Sequence, residues 1–258
     1  MQRIVVAEVP RLKTYAPLLV KAMASLRPDT VLLPLPRGLE KEAVEEALSG
    51  RDPSGVISER TGLPSLIFSY ATHILFLLVR ESRLEAELLF YRSLENLYED
   101  FRASVEAVSL LAITLTTGRV PVERWLRLLS LAKSVSGDYA FVANRARGLT
   151  LLVCSWGSNA HRYLKQLGLE VSVLRVAPYV PLPLEALLAM EKPSPEDVER
   201  LVREHAKFVS EYLVVSRDLD EAYLKWLERE RPRDYARLMR VLALPASRDV
   251  QLRGEKRY

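Results

Sequence analysis

The residues best suited to chemistry lie in one segment, Val153-Cys154-Ser155-Trp156-Gly157-Ser158-Asn159-Ala160-His161. An imidazole just past the carboxyl end of a buried strand stands where open α/β sheets bind ligands, because loops and helix N-termini meet there. His161 could serve there as a general base or a metal ligand. Glu8, at the end of the first strand, would supply a second carboxylate. Arg145 would clamp an anion beside Asn144, and Gly157, Ser158 and Asn159 would form the ligand-binding loop. Cys154 shares the segment, but its apolar strand position predicts an inert, buried thiol.

The other two histidines promise less. His73 sits in an apolar helical stretch and reads as a core residue, and His205 lies on an amphipathic helix between Glu204 and Lys207. Neither GxxxxGK[ST] nor GxGxxG occurs in the sequence, and HExxH, CxxC and GxSxG are also missing. One cysteine excludes a disulfide framework and a multi-cysteine zinc site. Glu8 and His161 are two potential ligands, and two do not hold a catalytic metal, so the chain predicts neither metal nor cofactor.

The elements that must position these residues read as α/β over most of the chain. Its 258 residues, 49% of them hydrophobic and 27% charged, suit a globular protein with a sizeable core. Buried strands are predicted at 4–7, 30–33, 65–69, 149–154 and 171–176, with helices at 18–26, 40–48 and 72–83; 87–91 reads as a further strand or as the next helical turn, which periodicity alone does not separate. Strands alternating with helices at this spacing imply βαβ units and a mostly parallel sheet. Two helices, 94–115 and 122–135, form a helical hairpin insert within about 94–148. Asn159 to Leu167 is a short helix closed by Gly168. Pro178, Pro181 and Pro183 predict a stiff extended connection, after which 194–214, 218–230 and 232–244 are helical. The predicted organisation is an α/β domain over 1–180 and a C-terminal helical extension over 181–258.

The order Asp138 to Gly148, strand, Gly157-Ser158-Asn159-Ala160-His161, helix, Gly168, Val171 to Val176 resembles the late segment of the TraB/PrgY–Tiki superfamily, related to erythromycin esterase and ChaN-like proteins. Arg27-Pro28-Asp29-Thr30-Val31-Leu32-Leu33 is similar to its second strand, and the resemblance covers about 1–180. It implies the fold, and for some relatives a metal-dependent hydrolase working through two histidine loops. The chain departs from that pattern. Ala7-Glu8-Val9-Pro10 replaces the glycine- and histidine-bearing motif, and Pro34-Leu35-Pro36 stands where a glutamate is usual. The late loop is Gly-x-x-x-His, one residue longer than GxxH.

The expected function is therefore a non-catalytic or degenerate scaffold acting by protein–protein interaction. Its protein partner, or a second copy in a homo-oligomer, would dock on the 194–244 helices, with Trp226 and arginines as anchors. The alternative is a divergent metal-dependent hydrolase using the strand-end loop at His161. A third reading comes from charge: Arg229 to Tyr258 carries a net +5 against +4 for the whole chain. Arg248, Arg253, Lys256 and Arg257 could give weak nucleic-acid contact through that tail. Three asparagines, three glutamines and abundant arginine predict a thermophile's protein. The absence of a membrane-length apolar run, or of a signal-like start, predicts a cytoplasmic one.

Overall fold

The computed structural model describes residues 3–81, 85–131 and 137–243. Five parallel strands form one sheet in the order β3-β2-β4-β1-β5: β1 (Arg3–Val9), β2 (Thr30–Pro36), β3 (Glu87–Arg92), β4 (Leu149–Ser155) and β5 (Glu170–Leu174). Runs such as Ile4-Val5-Val6-Ala7 and Leu151-Leu152-Val153 bury both faces, as a helix-covered parallel sheet requires. Val5, Ala7, Val31, Leu33, Leu151 and Val153 point into one core, and Ile4, Val6, Leu32, Leu152 and Cys154 into another.

Helices cover both faces. On the first lie α1 (Ala16–Leu26) and α4 (Ser69–Glu81), with α2 (Glu40–Leu48) and α3 (Ser54–Thr61) beside them. The second face is covered by α7 (Gly137–Arg145) and α8 (Ala160–Gln166), through Val142, Ala146, Ala160 and Leu164. A third core joins α5 (Leu94–Thr117) and α6 (Val122–Leu131) to α9 (Pro183–Ala189) and α10 (Pro195–Phe208), around Leu110, Trp125, Leu187 and Val202. The helix continues from α10 with π geometry over Val209–Leu213, and α11 (Leu219–Glu230) and α12 (Pro232–Ala243) follow.

Two predicted elements change identity. Residues 65–69 are not a strand: Ser65–Ile67 is a 3-10 turn leading into α4. Pro64 O and Ser65 O accept from Ile67 N and Phe68 N, so the backbone groups close locally, and only Phe68 of the run is buried. The extended connection after Pro178 also ends early, in α9. Pro183 occupies the first turn, where its missing N–H costs nothing, and Glu185 Oε2 accepts from Leu182 N at 3.0 Å. α3 has no counterpart among the predicted elements. The end of the helix predicted over 122–135, and the tail with Arg248, Arg253, Lys256 and Arg257, lie outside the described residues.

The C-terminal helices pack on the sheet. Phe208, Tyr212, Tyr223, Trp226, Leu227 and Leu238 belong to the same core as Val5 and Leu33. Asp220 fastens this layer to the start of α1, accepting from Thr14 N at 2.7 Å and Thr14 Oγ1 at 2.6 Å. No helix among the described residues is long and apolar enough to cross a membrane.

Candidate functional site

The chain leaves β1 for α1 on one face of the sheet and leaves β4 for α8 on the other. Since β1 and β4 are neighbours, their carboxyl ends form the topological switch point, the usual ligand crevice of an open α/β sheet. In register, Glu8 stands opposite Cys154 and Val9 opposite Ser155.

Side chains from both strands meet across this junction. Trp156 N donates to Val9 O at 3.0 Å, which extends the ladder past the last paired residues. Toward the first face, Arg11 Nε donates to Ser155 Oγ at 3.1 Å, and the buried Tyr70 hydroxyl lies 3.4 Å from the same oxygen. Burial pushes the Tyr70 phenol up, and Arg11 offsets part of that. Toward the second face, His161 Nδ1 lies 3.4 Å from Glu8 Oε1, with the Glu8 side chain 8% exposed and that of His161 29%. Nδ1 completes no hydrogen bond of good geometry, so the pair is a close approach of base and carboxylate.

Cys154 lies between these groups as a closed thiol. Burial pushes it up to about 12, and Sγ donates weakly to Ala7 O at 3.8 Å. Ser158 Oγ faces the Cys154 thiol and the Tyr139 hydroxyl and completes a well-formed hydrogen bond with neither.

The other predicted site residues divide. Gly157 and Asn159 line a cleft of about 290 Å³ with Arg162, Tyr163 and the end of α9, and Arg162 pairs with Glu191 at its rim. Gly157 keeps a φ of +75°, and a Cβ there would stand 3.4 Å from Ala189 Cβ, so the loop and α9 are closely fitted. Arg145 does not join Glu8 and His161. α7 runs from Asp138 at the carboxyl edge toward the amino edge, where Arg147 N bonds Thr150 Oγ1 at 2.9 Å. Arg145 therefore ends up over the Phe141 ring, 5.5 Å from its centroid, with exposed Asn144 beside it. The helix direction carries Arg145 and Asn144 away from the crevice that holds Glu8 and His161.

Two clusters at the same edge escaped sequence reasoning. Asp138, 2% exposed, accepts from Arg37 Nη2 at 2.8 Å, Arg92 Nε at 2.7 Å and Ser93 N at 2.9 Å. Burial works against the Arg92 charge, but Asp100 and Asp138 more than offset it. The only signal was an arginine directly after or at the end of β2 and β3. Beyond β5, Tyr179 packs among Tyr15, Trp156 and Tyr223, and its hydroxyl donates to Glu185. Burial raises the Glu185 carboxyl, while Tyr179, Leu182 N and then Arg11 pull it down.

No group of three His, Cys, Asp or Glu side chains converges to hold a metal ion among the described residues. Glu8 and His161 alone do not fit a catalytic metal, and no step is derived through one. Comparison with family models, with curated proteins and with solved structures returns no match to this chain. The fold and site define a doubly wound parallel α/β protein with an acid–imidazole pair at its switch point.

Proposed function

We propose that the protein is a non-catalytic scaffold of TraB/Tiki-like ancestry that acts by protein–protein interaction, in a thermophile's cytoplasm. The observation that carries this reading is the stitching of the switch point by the protein's own side chains. Arg11 is engaged by Ser155, and Ser155 lies within reach of Tyr70. Polar groups at the strand ends are thus turned on one another, and the cleft beside them lies between α8 and the end of α9. The 194–244 segment, expected to dock a partner, has Trp226 in the core and keeps Val214, Val215 and Met239 outward.

One observation favours a second reading, a divergent hydrolase: the 3.4 Å approach of His161 to Glu8 at the strand ends. A panel of ester, peptide and phosphoester substrates, with and without added divalent cations, separates the two. The scaffold reading expects no turnover in the wild type. Turnover that disappears in His161→Ala and Glu8→Gln, with the fold retained, would overturn it.

A further inference from the structure

On one side of the switch point the hydrogen bonds leave donors over. Val9 faces the first core with Ser155 beside it in register, and Cys154 faces the second with Glu8 beside it. Arg11, just past β1, reaches back on the first side, where its Nε donates to Ser155 Oγ at 3.1 Å. The N–H groups on Nη1 and Nη2 have no acceptor among the described residues, and Arg11 is exposed. Ser155 and Tyr70 add one hydroxyl hydrogen each. At most one of these joins the pair, whose oxygens lie 3.4 Å apart, so at least one more donor is left without an acceptor.

The local charge has the matching sign. Burial raises the Tyr70 phenol, and the charged groups that oppose it are Arg11 and then Arg92. Arg92 is engaged by Asp100 and Asp138. Glu185 also feels Arg11, but its carboxylate is held by the Tyr179 hydroxyl and Leu182 N, and it forms no ion pair with Arg11. Arg11 thus remains a cation with no carboxylate in contact among the described residues. α4 begins at Ser69, directly before Tyr70, and has no acidic residue in its first turn, so its positive end meets the same place. The turn before α1 differs, because Asp220 already takes the Lys13 and Thr14 N–H groups.

A free guanidinium fork, a hydroxyl hydrogen without an acceptor and a helix N-terminus together suit a ligand that only accepts hydrogen bonds and carries negative charge. We infer that Arg11, Ser155 and Tyr70 bind a phosphate group on the first side of the switch point, Arg11 through its Nη1–Nη2 edge and one hydroxyl as a further donor. A carboxylate offers two oxygens in one plane and would be filled by the fork alone. A phosphate has a third oxygen for donors that arrive from β4 and α4 as well as from the chain after β1. The phosphate is held and released unchanged, so the inference goes beyond the scaffold reading and does not depend on it.

The test is calorimetric titration of the full chain with inorganic phosphate and with glycerol phosphate, at an ionic strength held constant with sodium chloride. The expected result is saturable one-to-one binding of at least one of them with a Kd of about 1 mM, the tighter one telling whether the phosphate is free or esterified. Arg11→Ala should weaken that binding about tenfold or more without changing the thermal melt, since the side chain is exposed. Arg11→Lys keeps the charge and loses the fork, and should weaken it by a similar factor. Arg229→Ala, at an exposed arginine of α11, should leave it unchanged. A wild type with no saturable binding of either probe overturns the proposal. Binding that survives Arg11→Ala also overturns it, as an adventitious ion only, and binding undiminished in Arg11→Lys would mean a point charge rather than this geometry. Acetate bound as tightly as phosphate would overturn the choice of ligand.

Discussion

Asp138 and Arg92 are joined at 2.7 Å with side chains only 2% and 14% exposed, and this pair ties α7 to the carboxyl end of β3. Arg37, from the end of β2, and Ser93 N, at the start of α5, bond the same carboxylate. One acid thus fixes where four elements meet. Asp138→Ala should leave two guanidinium groups and a backbone N–H facing its absence. The expected loss is about 3–5 kcal/mol, the range for breaking a buried pair by removing one partner. Urea denaturation checks it, and a loss under about 1 kcal/mol would mean that solvent screens the cluster.

At the opposite edge the constraint is steric. Gly148 has a φ of +53°, and a Cβ there would lie 2.1 Å from Asp29 Oδ2. Asp29 cannot withdraw without losing Leu149 N, which donates to that oxygen at 2.7 Å. Gly148→Ala should cost about 2–3 kcal/mol through backbone strain and the clash. Combining it with Asp29→Ala should cost less than the sum of the two single changes, since both act on one contact. Strict additivity in a double-mutant cycle would contradict this account.

How far the sequence disclosed this arrangement depended on whether the signal was local. Ile4-Val5-Val6-Ala7 and Leu149 to Cys154 read as strands because both faces are covered and the run is continuously apolar. Finding where those strands end located Glu8 and His161, and their adjacency followed from β1 pairing with β4. Arg145 misled because proximity in sequence to β4 says nothing of which sheet edge an antiparallel helix reaches. Pro183 misled because one residue type both stops helices and starts them. The Asp138 cluster assembles residues from positions 37, 92, 93 and 138, and no spacing announces that.

The thiol offers a direct check of the second core. Cys154 is buried at the end of β4, and its thiol is pushed up to about 12, so at pH 8 it is neither exposed nor ionised. An aromatic disulfide reagent should leave the native protein unlabelled over hours and label one thiol per chain in guanidinium chloride. Rapid native labelling would require α7 and α8 to open from the sheet.

His205 should make stability depend on pH. Its ring stacks on Phe208 with centroids 5.7 Å apart, Nδ1 has no hydrogen-bond partner, and burial holds the imidazole at about 4 against an ordinary 6.5. Between these values the unfolded chain binds a proton that the folded chain refuses. Stability from this group is therefore full above pH 6.5, falls as the pH drops toward 4, and is lost below that. The shift corresponds to about 3 kcal/mol at most. Carboxylates such as Glu230, held low by Tyr212 and Lys207, add their own loss at the acid end of the same range, so the slope must be assigned by substitution. His205→Leu should flatten the fall between pH 6.5 and 4.5, measured as the urea midpoint against pH, while leaving the steeper carboxylate-driven loss below it. A variant that declines as steeply as the wild type across that interval would place the sensitivity elsewhere.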